Sequence, residues 1–230
     1  MIDSKIEIGN LVSFINTFKG KTFDELASSL NFVTKSKSKN ALLIKRIEEG
    51  YKGKEFFKTL TENNSLSTKT IQLLKNNKVQ EAMSFPKFCY ESIINETWET
   101  SIAKQMFSKT FIFSVFKFNY NKNIFMGAFL WKMPEEDLNG EVKEVWEKTR
   151  KIIISGNIVK DTGDKMLLNF PKENETNICH VRPHGRNSLD LARLPERDIS
   201  TGFSGLPKQS FWLNHKYLNK VIQEYFNIIG

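Results

Sequence analysis

Between Cys179 and Arg186 the chain reads Cys-His-Val-Arg-Pro-His-Gly-Arg, a strand-like run that stops in a turn. Pro183 fixes its own φ and pushes Arg182 into extended backbone. Gly185 then permits a sharp turn. The guanidinium of Arg182 is thereby held at a strand end, with His184 and Arg186 close behind. A planar guanidinium forks onto two acceptors at once, and the partners it fits are a guanine edge or a phosphate. The first chemistry to test on this chain is recognition of DNA.

Other chemistries fit less well. Cys179, His180 and His184 suggest a metal, but adjacent residues of a strand point to opposite faces. No second Cys or His pair completes a zinc set, so no metal is expected. His180, His184 and His215 have no obvious acid partner for a serine or cysteine nucleophile. Neither a P-loop nor a dinucleotide fingerprint is present. A magnesium-dependent nuclease needs carboxylates on neighbouring strands and a lysine that steadies the attacking water. Ser67-Thr68-Lys69-Thr70, opening a strand after a loop, puts Lys69 where such a lysine sits, with Glu62 upstream.

The elements that must position these residues follow from pattern. The 230 residues carry a net charge of +8 and include nineteen Phe and four Trp, enough apolar material for a substantial core. A pI near 9.3 favours polyanionic partners. Cys89 and Cys179 are too few for a disulfide framework, and neither a signal peptide nor a membrane span is expected. A cytoplasmic, bacterial protein is expected, with no membrane partner.

Leu11, Phe14, Ile15 and Phe18 predict a helix that stops at Gly20. Thr22-Phe23-Asp24-Glu25 is a capping box opening a helix through Leu30, and Leu42, Leu43 and Ile47 predict a third. Residues 35–58 hold eight basic and three acidic residues. Lys35, Lys37 and Lys39 there form either a solvated face or a phosphate-binding one. Thr68–Leu74 reads as a strand with a return after Asn76-Asn77. Phe111–Phe116 reads as a central strand covered on both faces, paired with Ile124–Trp131. Pro134 opens a helix that kinks at Asn139-Gly140 and buries Leu138, Val142, Val145, Trp146, Thr149, Ile152 and Ile153. Strands near 164–170 and 177–182 lead to Arg182. The stretch 183–209 lacks periodicity and reads as a long functional loop. A last helix carries Tyr217, Leu218, Val221, Ile222 and Tyr225.

Five separated motifs then carry a resemblance that spans residues 10–228. They are Lys21-Thr22-Phe23-Asp24-Glu25-Leu26-Ala27, Thr97-Trp98-Glu99-Thr100-Ser101, Met133-Pro134-Glu135-Glu136-Asp137 with Trp146, Ile178–Asn187 and Gln209–Leu213. In this order they resemble the family of MutH, the mismatch-repair nicking endonuclease, and the related GATC-cutting type II restriction endonucleases. The last two motifs most resemble the C-terminal half of a two-domain enzyme of this group.

The resemblance implies one α/β domain over 1–230, MutH-like and restriction-endonuclease-like, with a mixed β-sheet flanked by helices. It also implies where catalysis would sit. The family's Asp and Glu positions fall on Leu60 and Ser67, its first lysine on Lys69 and a further lysine on Met106. A leucine and a serine cannot replace two anionic oxygens on a hard cation. In two-domain enzymes of the group, the C-terminal half keeps the fold without the catalytic residues. It binds a second copy of the recognition site as an allosteric effector.

The DNA-reading positions are retained: Arg182 as the base-reading arginine, followed by Pro183, with His184 beside it. Trp212 takes the place of the aromatic residue near the adenine. Double-stranded DNA, with Arg182, Pro183, His184, Arg186, Trp212, Lys35, Lys37 and Lys39 in contact, is therefore the expected partner, and no cofactor is expected. A nuclease domain of the same polypeptide and a dimer on DNA are further expected partnerships. Two alternatives stand: an active Mg²⁺-dependent endonuclease built from Glu49, Glu62 and Lys69, and a subunit-interaction module that meets DNA only through charge.

Overall fold

The computed structural model describes residues 4–161, 166–187 and 189–226. Four helices come first: α1 (Ser4–Asn16), α2 (Phe23–Ser29), α3 (Lys39–Gly50) and α4 (Lys54–Asn63). Strands β1 (Leu66–Leu73) and β2 (Met83–Lys87) follow, then helices α5 (Tyr90–Ile93) and α6 (Ile102–Phe107). The hairpin of β3 (Thr110–Asn119) and β4 (Lys122–Lys132) leads into α7 (Glu135–Asp137) and α8 (Lys143–Ser155). Short strands β5 (Val159–Asp161) and β6 (Met166–Leu168) precede β7 (Cys179–Pro183). The hairpin of β8 (Leu191–Arg193) and β9 (Gly205–Pro207), strand β10 (Gln209–Leu213) and helix α9 (His215–Phe226) complete the order. Among the described residues no helix is long and apolar enough to cross a membrane. Of the strand expected near 164–170, residues 164 and 165 lie outside the described residues.

The chain divides into two compact units. The first is drawn from the described residues of Met1–Gln80, Lys109–Lys132 and Gln223–Gly230. Its sheet has the order β1-β3-β4, with β1 parallel and β4 antiparallel to β3. Phe111 to Phe116 are buried throughout, as an apolar run in a central strand requires. Leu11, Ile15, Leu26, Leu43, Ile47 and Leu60 of the four helices pack with Leu66, Ile112, Phe116 and Phe125 of one sheet face. The capping box is formed: Thr22 N donates to Glu25 Oε2 at 2.8 Å, and Glu25 N donates to Thr22 Oγ1 at 3.3 Å.

One element corrects the sequence reading. The stretch leading into β1 is helical through Asn63, where a loop was expected around residue 60. Phe56, Phe57 and Leu60 have helical spacing, and packing on the shared core makes α4 worth forming.

The second unit is drawn from Glu81–Ser108 and the described residues of Met133–Ile222. Its sheet is antiparallel, in the order β2-β10-β7. The expected single mixed sheet is therefore two three-stranded sheets, one mixed and one antiparallel. The kink at Gly140 is present (φ −91°, ψ −111°), and Gly156 ends α8 in the left-handed region at φ +69°. The expected buried stripe is formed by Leu138, Val142, Val145, Trp146, Thr149 and Ile153, with Ile152 half-buried.

Candidate nucleic-acid interface

Strands β7 and β10 run antiparallel, with Arg182 opposite Ser210 and His180 opposite Trp212. Strict alternation then sorts the side chains by face. Cys179, Val181, Phe211 and Leu213 form a buried apolar face. His180, Arg182, Ser210 and Trp212 share the other. Because β7 is an edge strand, Pro183 at its end interrupts no ladder. Arg182 is exposed, and its guanidinium carbon lies 4.4 Å from the centre of the half-buried Trp212 ring. The cation is therefore presented to solvent on an aromatic platform rather than tied into an ion pair.

The histidines hold this platform in place. His184 Nδ1 lies 3.0 Å from Ser210 Oγ and 3.2 Å from the Phe85 carbonyl, which can only accept, so Nδ1 is the protonated nitrogen. Its ring sits 5.1 Å from that of Trp212. His184, expected as a phosphate contact, is thus anchored through Nδ1. His180 is buried, and burial lowers its pKa below the usual histidine value. It donates through Nδ1 to Asn214 Oδ1 at 2.6 Å, while Asn214 Nδ2 donates to the Thr176 carbonyl at 3.0 Å.

The loop beyond Arg182 is ordered by carboxylates. Asp190 accepts from the Arg186 amide at 3.0 Å, Lys208 Nζ at 2.6 Å and Lys87 Nζ at 3.2 Å. The Lys208 bond first, then the Arg186 amide, hold the Asp190 pKa well below the usual carboxylate range. Gly185 is required by close approach: a Cβ there would meet the Asn187 carbonyl oxygen at 2.9 Å. The Arg186 side chain is exposed. Further on, buried Asp198 accepts from the amides of Ile158, Val159, Ser200 and Thr201 and from Thr201 Oγ1. The stretch expected to be an irregular loop therefore contains the β8–β9 hairpin and two carboxylate-centred knots.

Residues of the sequence motifs around Trp98 and Trp146 prove to be supports. Trp98 Nε1 donates to Asn139 Oδ1 at 2.9 Å, Trp146 Nε1 donates to Glu96 Oε2 at 3.1 Å, and the two rings pack 5.6 Å apart. Ser101 caps α6, accepting from Lys104 N at 3.1 Å. Glu141, just past Gly140, accepts from the amides of Asn177 and Ile178 at 2.7 and 2.6 Å and so fixes the entry into β7.

In the first unit the candidate catalytic positions are arranged differently. Leu60 is 7% exposed and belongs to the helix-side core. Ser67 and Lys69 on β1 are half-buried and alternate with Thr68. Leu66 packs on the helix side, so Thr68 does too, and Ser67 and Lys69 point to the opposite face. Burial, then the charge of Lys109, lower the pKa of Lys69.

The buried acid of α3 is Glu48, one position before the Glu49 singled out from sequence. Glu48 is 0% exposed, neither carboxyl oxygen has a hydrogen-bond partner of good geometry, and burial pushes its pKa up to about 8. Thr68 opposes that shift, which places Glu48 on the helix side of β1. Its position was legible, since Ile44 and Glu48 are four residues apart on the buried face. Glu49 is half-buried and Glu62 exposed, both on the helix layer, so neither shares a face with Lys69. Among the described residues no three His, Cys, Asp or Glu side chains converge to hold a metal ion. Glu49 and Glu62 are therefore not brought together with Lys69 on one face of β1.

Met106 is buried in α6 of the second unit. Lys35, Lys37 and Lys39 are exposed in the first unit, and Lys39 lies 4.7 Å from the Phe23 ring centre.

No family model matches the chain. The chain is similar to the type II restriction enzyme Sau3AI of Staphylococcus aureus, at 32% identity over 191 residues. The match covers 71% of this chain and 39% of that enzyme, so the chain spans about two fifths of its relative's length. The similarity supports a relationship between this chain and restriction enzymes.

Proposed function

We propose that this chain is a sequence-specific reader of double-stranded DNA, built on a nuclease-type fold whose catalytic positions no longer carry catalytic groups. The observation that carries this reading is Arg182, exposed at an edge-strand end and braced on Trp212. Arg182 reads guanine from the major groove, and GATC is the sequence that the resemblance implies. Trp212 positions Arg182 with its ring face and lies beside the central A·T pair. Arg186, His184 through Nε2, and Lys35, Lys37 and Lys39 meet phosphates. The restriction enzyme it resembles is much longer, which supports a role as the regulatory half of such an enzyme in a bacterial cytoplasm. The cutting domain would belong to the same polypeptide, and two copies would meet on DNA.

The test is competition between a GATC duplex and a scrambled duplex at moderate salt, where counterion release alone no longer dominates. The reading requires tighter binding to GATC. Replacing Arg182 with Ala should cost roughly 1–3 kcal/mol of that preference, the worth of one bidentate base contact. Equal affinity for both duplexes would leave an interaction module that senses only charge. Plasmid cleavage with Mg²⁺, abolished by Glu62→Ala, would replace this reading with the active-nuclease one.

A further inference from the structure

The tip of the β3–β4 hairpin carries a feature that the Arg182 face does not explain. Tyr120 and Asn121 turn the chain with φ of +44° and +64°. Such a two-residue turn favours Asn or Gly at both places, and Asn121 satisfies the second. Tyr120 does not suit the first. It is a bulky residue held in left-handed backbone, and 80% of it is exposed. Neither local conformation nor burial accounts for an aromatic ring there.

The surroundings supply a reason. Parallel pairing of β1 with β3 sets Leu73 beside Lys117 and brings the turn after β1 next to the hairpin tip. Lys75 Nζ lies 5.0 Å from the Tyr120 ring centre. Lys75, Phe118, Asn119, Tyr120 and Asn121 line an open cleft between the two turns. Residues 74–79 and 116–125 contain Lys75, Lys78, Lys117 and Lys122 and no Asp or Glu. None of these four lysines makes an ion pair among the described residues. Glu25 feels the charge of Lys122, but its carboxylate is already engaged by Thr22 N and Oγ1. An exposed cation–π contact with Lys75 recovers no more than the strained backbone of Tyr120 costs. Cations, amide donors and an exposed ring, with no ion pair to these lysines among the described residues, complement one class of ligand, the sugar–phosphate backbone of nucleic acid.

We propose that this tip is a second, sequence-independent contact for duplex DNA. Lys75, Lys78 and Lys122 neutralise phosphates, and the Tyr120 ring packs on the sugar edge between them. The proposal extends the DNA reading above, but it needs only that the ligand be DNA, not that Arg182 selects a sequence.

The experiment is a salt series with a scrambled duplex, so that sequence selection does not enter. The double variant Lys75→Ala/Lys122→Ala should lower the slope of log affinity against log salt by about 1.8, roughly 0.9 for each phosphate contact removed. Preference for one duplex sequence over another should not change, which separates this result from failure of the Arg182 reading. Tyr120→Asn provides the control against misfolding. Asn suits the left-handed turn, so this variant should raise Tm while weakening DNA binding roughly fivefold. An unchanged salt slope in the lysine variant, a Tyr120→Asn chain that binds like wild type, or wild-type chain that ignores duplex DNA at low salt would each overturn the proposal.

Discussion

The two units treat their candidate sites in opposite ways. In the first, Leu60, the position expected from the resemblance to hold an acid, is packed with the helices over one sheet face. Ser67 and Lys69 lie on the opposite face of β1 from the buried acid Glu48. In the second, Arg182 contributes nothing to the core, and a set of neighbours holds it in solvent: Trp212 beneath it, His184 pinned to Ser210, and Asp190 fixing the loop behind. Burial converts a position to stability, whereas an exposed, braced cation serves a partner. The contrast is the physical basis of the proposed recognition role.

The largest expected effect comes from placing an acid at Leu60. Leu60→Asp would introduce a carboxylate at a site only 7% exposed, packed in the apolar core between the helices and the sheet. Lost apolar burial and carboxylate desolvation together should cost about 5 kcal/mol, read from urea unfolding. If the variant folds as stably as wild type and binds Mg²⁺, the position is still a site and the contrast between the units collapses.

Glu48 sharpens the same comparison through pH. Its carboxyl has a native pKa of about 8, against 4.5 ordinarily. Below pH 4.5 both folded and unfolded chains carry the proton, so nothing is lost. Between these values the unfolded chain releases the proton and the native chain keeps it. Stability therefore falls as pH rises, by on the order of 5 kcal/mol in all, and levels off above pH 8. Glu49 adds to the upward shift, and Lys45 and Thr68 oppose it. Glu48→Gln should remove this fall, so variant and wild type diverge steadily from pH 5 to pH 8 in denaturant titrations. Parallel pH profiles would mean that Glu48 is ionised and paired in the native protein.

How much of this was legible depended on whether a residue leaves a periodic trace. The capping box at Thr22, the kink at Gly140 and the doubly covered strand at Phe111–Phe116 are local patterns, and each was readable. The β2-β10-β7 sheet was not, because its pairing joins segments far apart in sequence, and Gln209–Leu213 is too short to declare itself a strand. Asp190 and Asp198 were invisible for another reason. They order the 183–209 stretch through side-chain bonds to scattered backbone amides, a device with no periodicity at all. At the candidate interface, sequence singles out Arg182 and Trp212 but not the 4.4 Å stack between them, which depends on the cross-strand register of β7 and β10.

That stack sets the smallest and most discriminating test, Trp212→Phe. The Trp212 indole N–H is buried without a hydrogen-bond partner among the described residues. Removing it relieves an unsatisfied donor, which offsets part of the apolar area lost with the smaller ring, so stability should change by less than about 1 kcal/mol. Phenylalanine still offers a face to Arg182, though a weaker one than indole. If Trp212 acts only by bracing the guanidinium, preference for the recognised duplex should fall by about 1 kcal/mol, less than in Arg182→Ala, and the double variant should be no worse than Arg182→Ala alone. Additive losses would mean that the ring touches the duplex itself. Trp212 would then be a second reading residue, and the interface would extend along β10 as well as the end of β7.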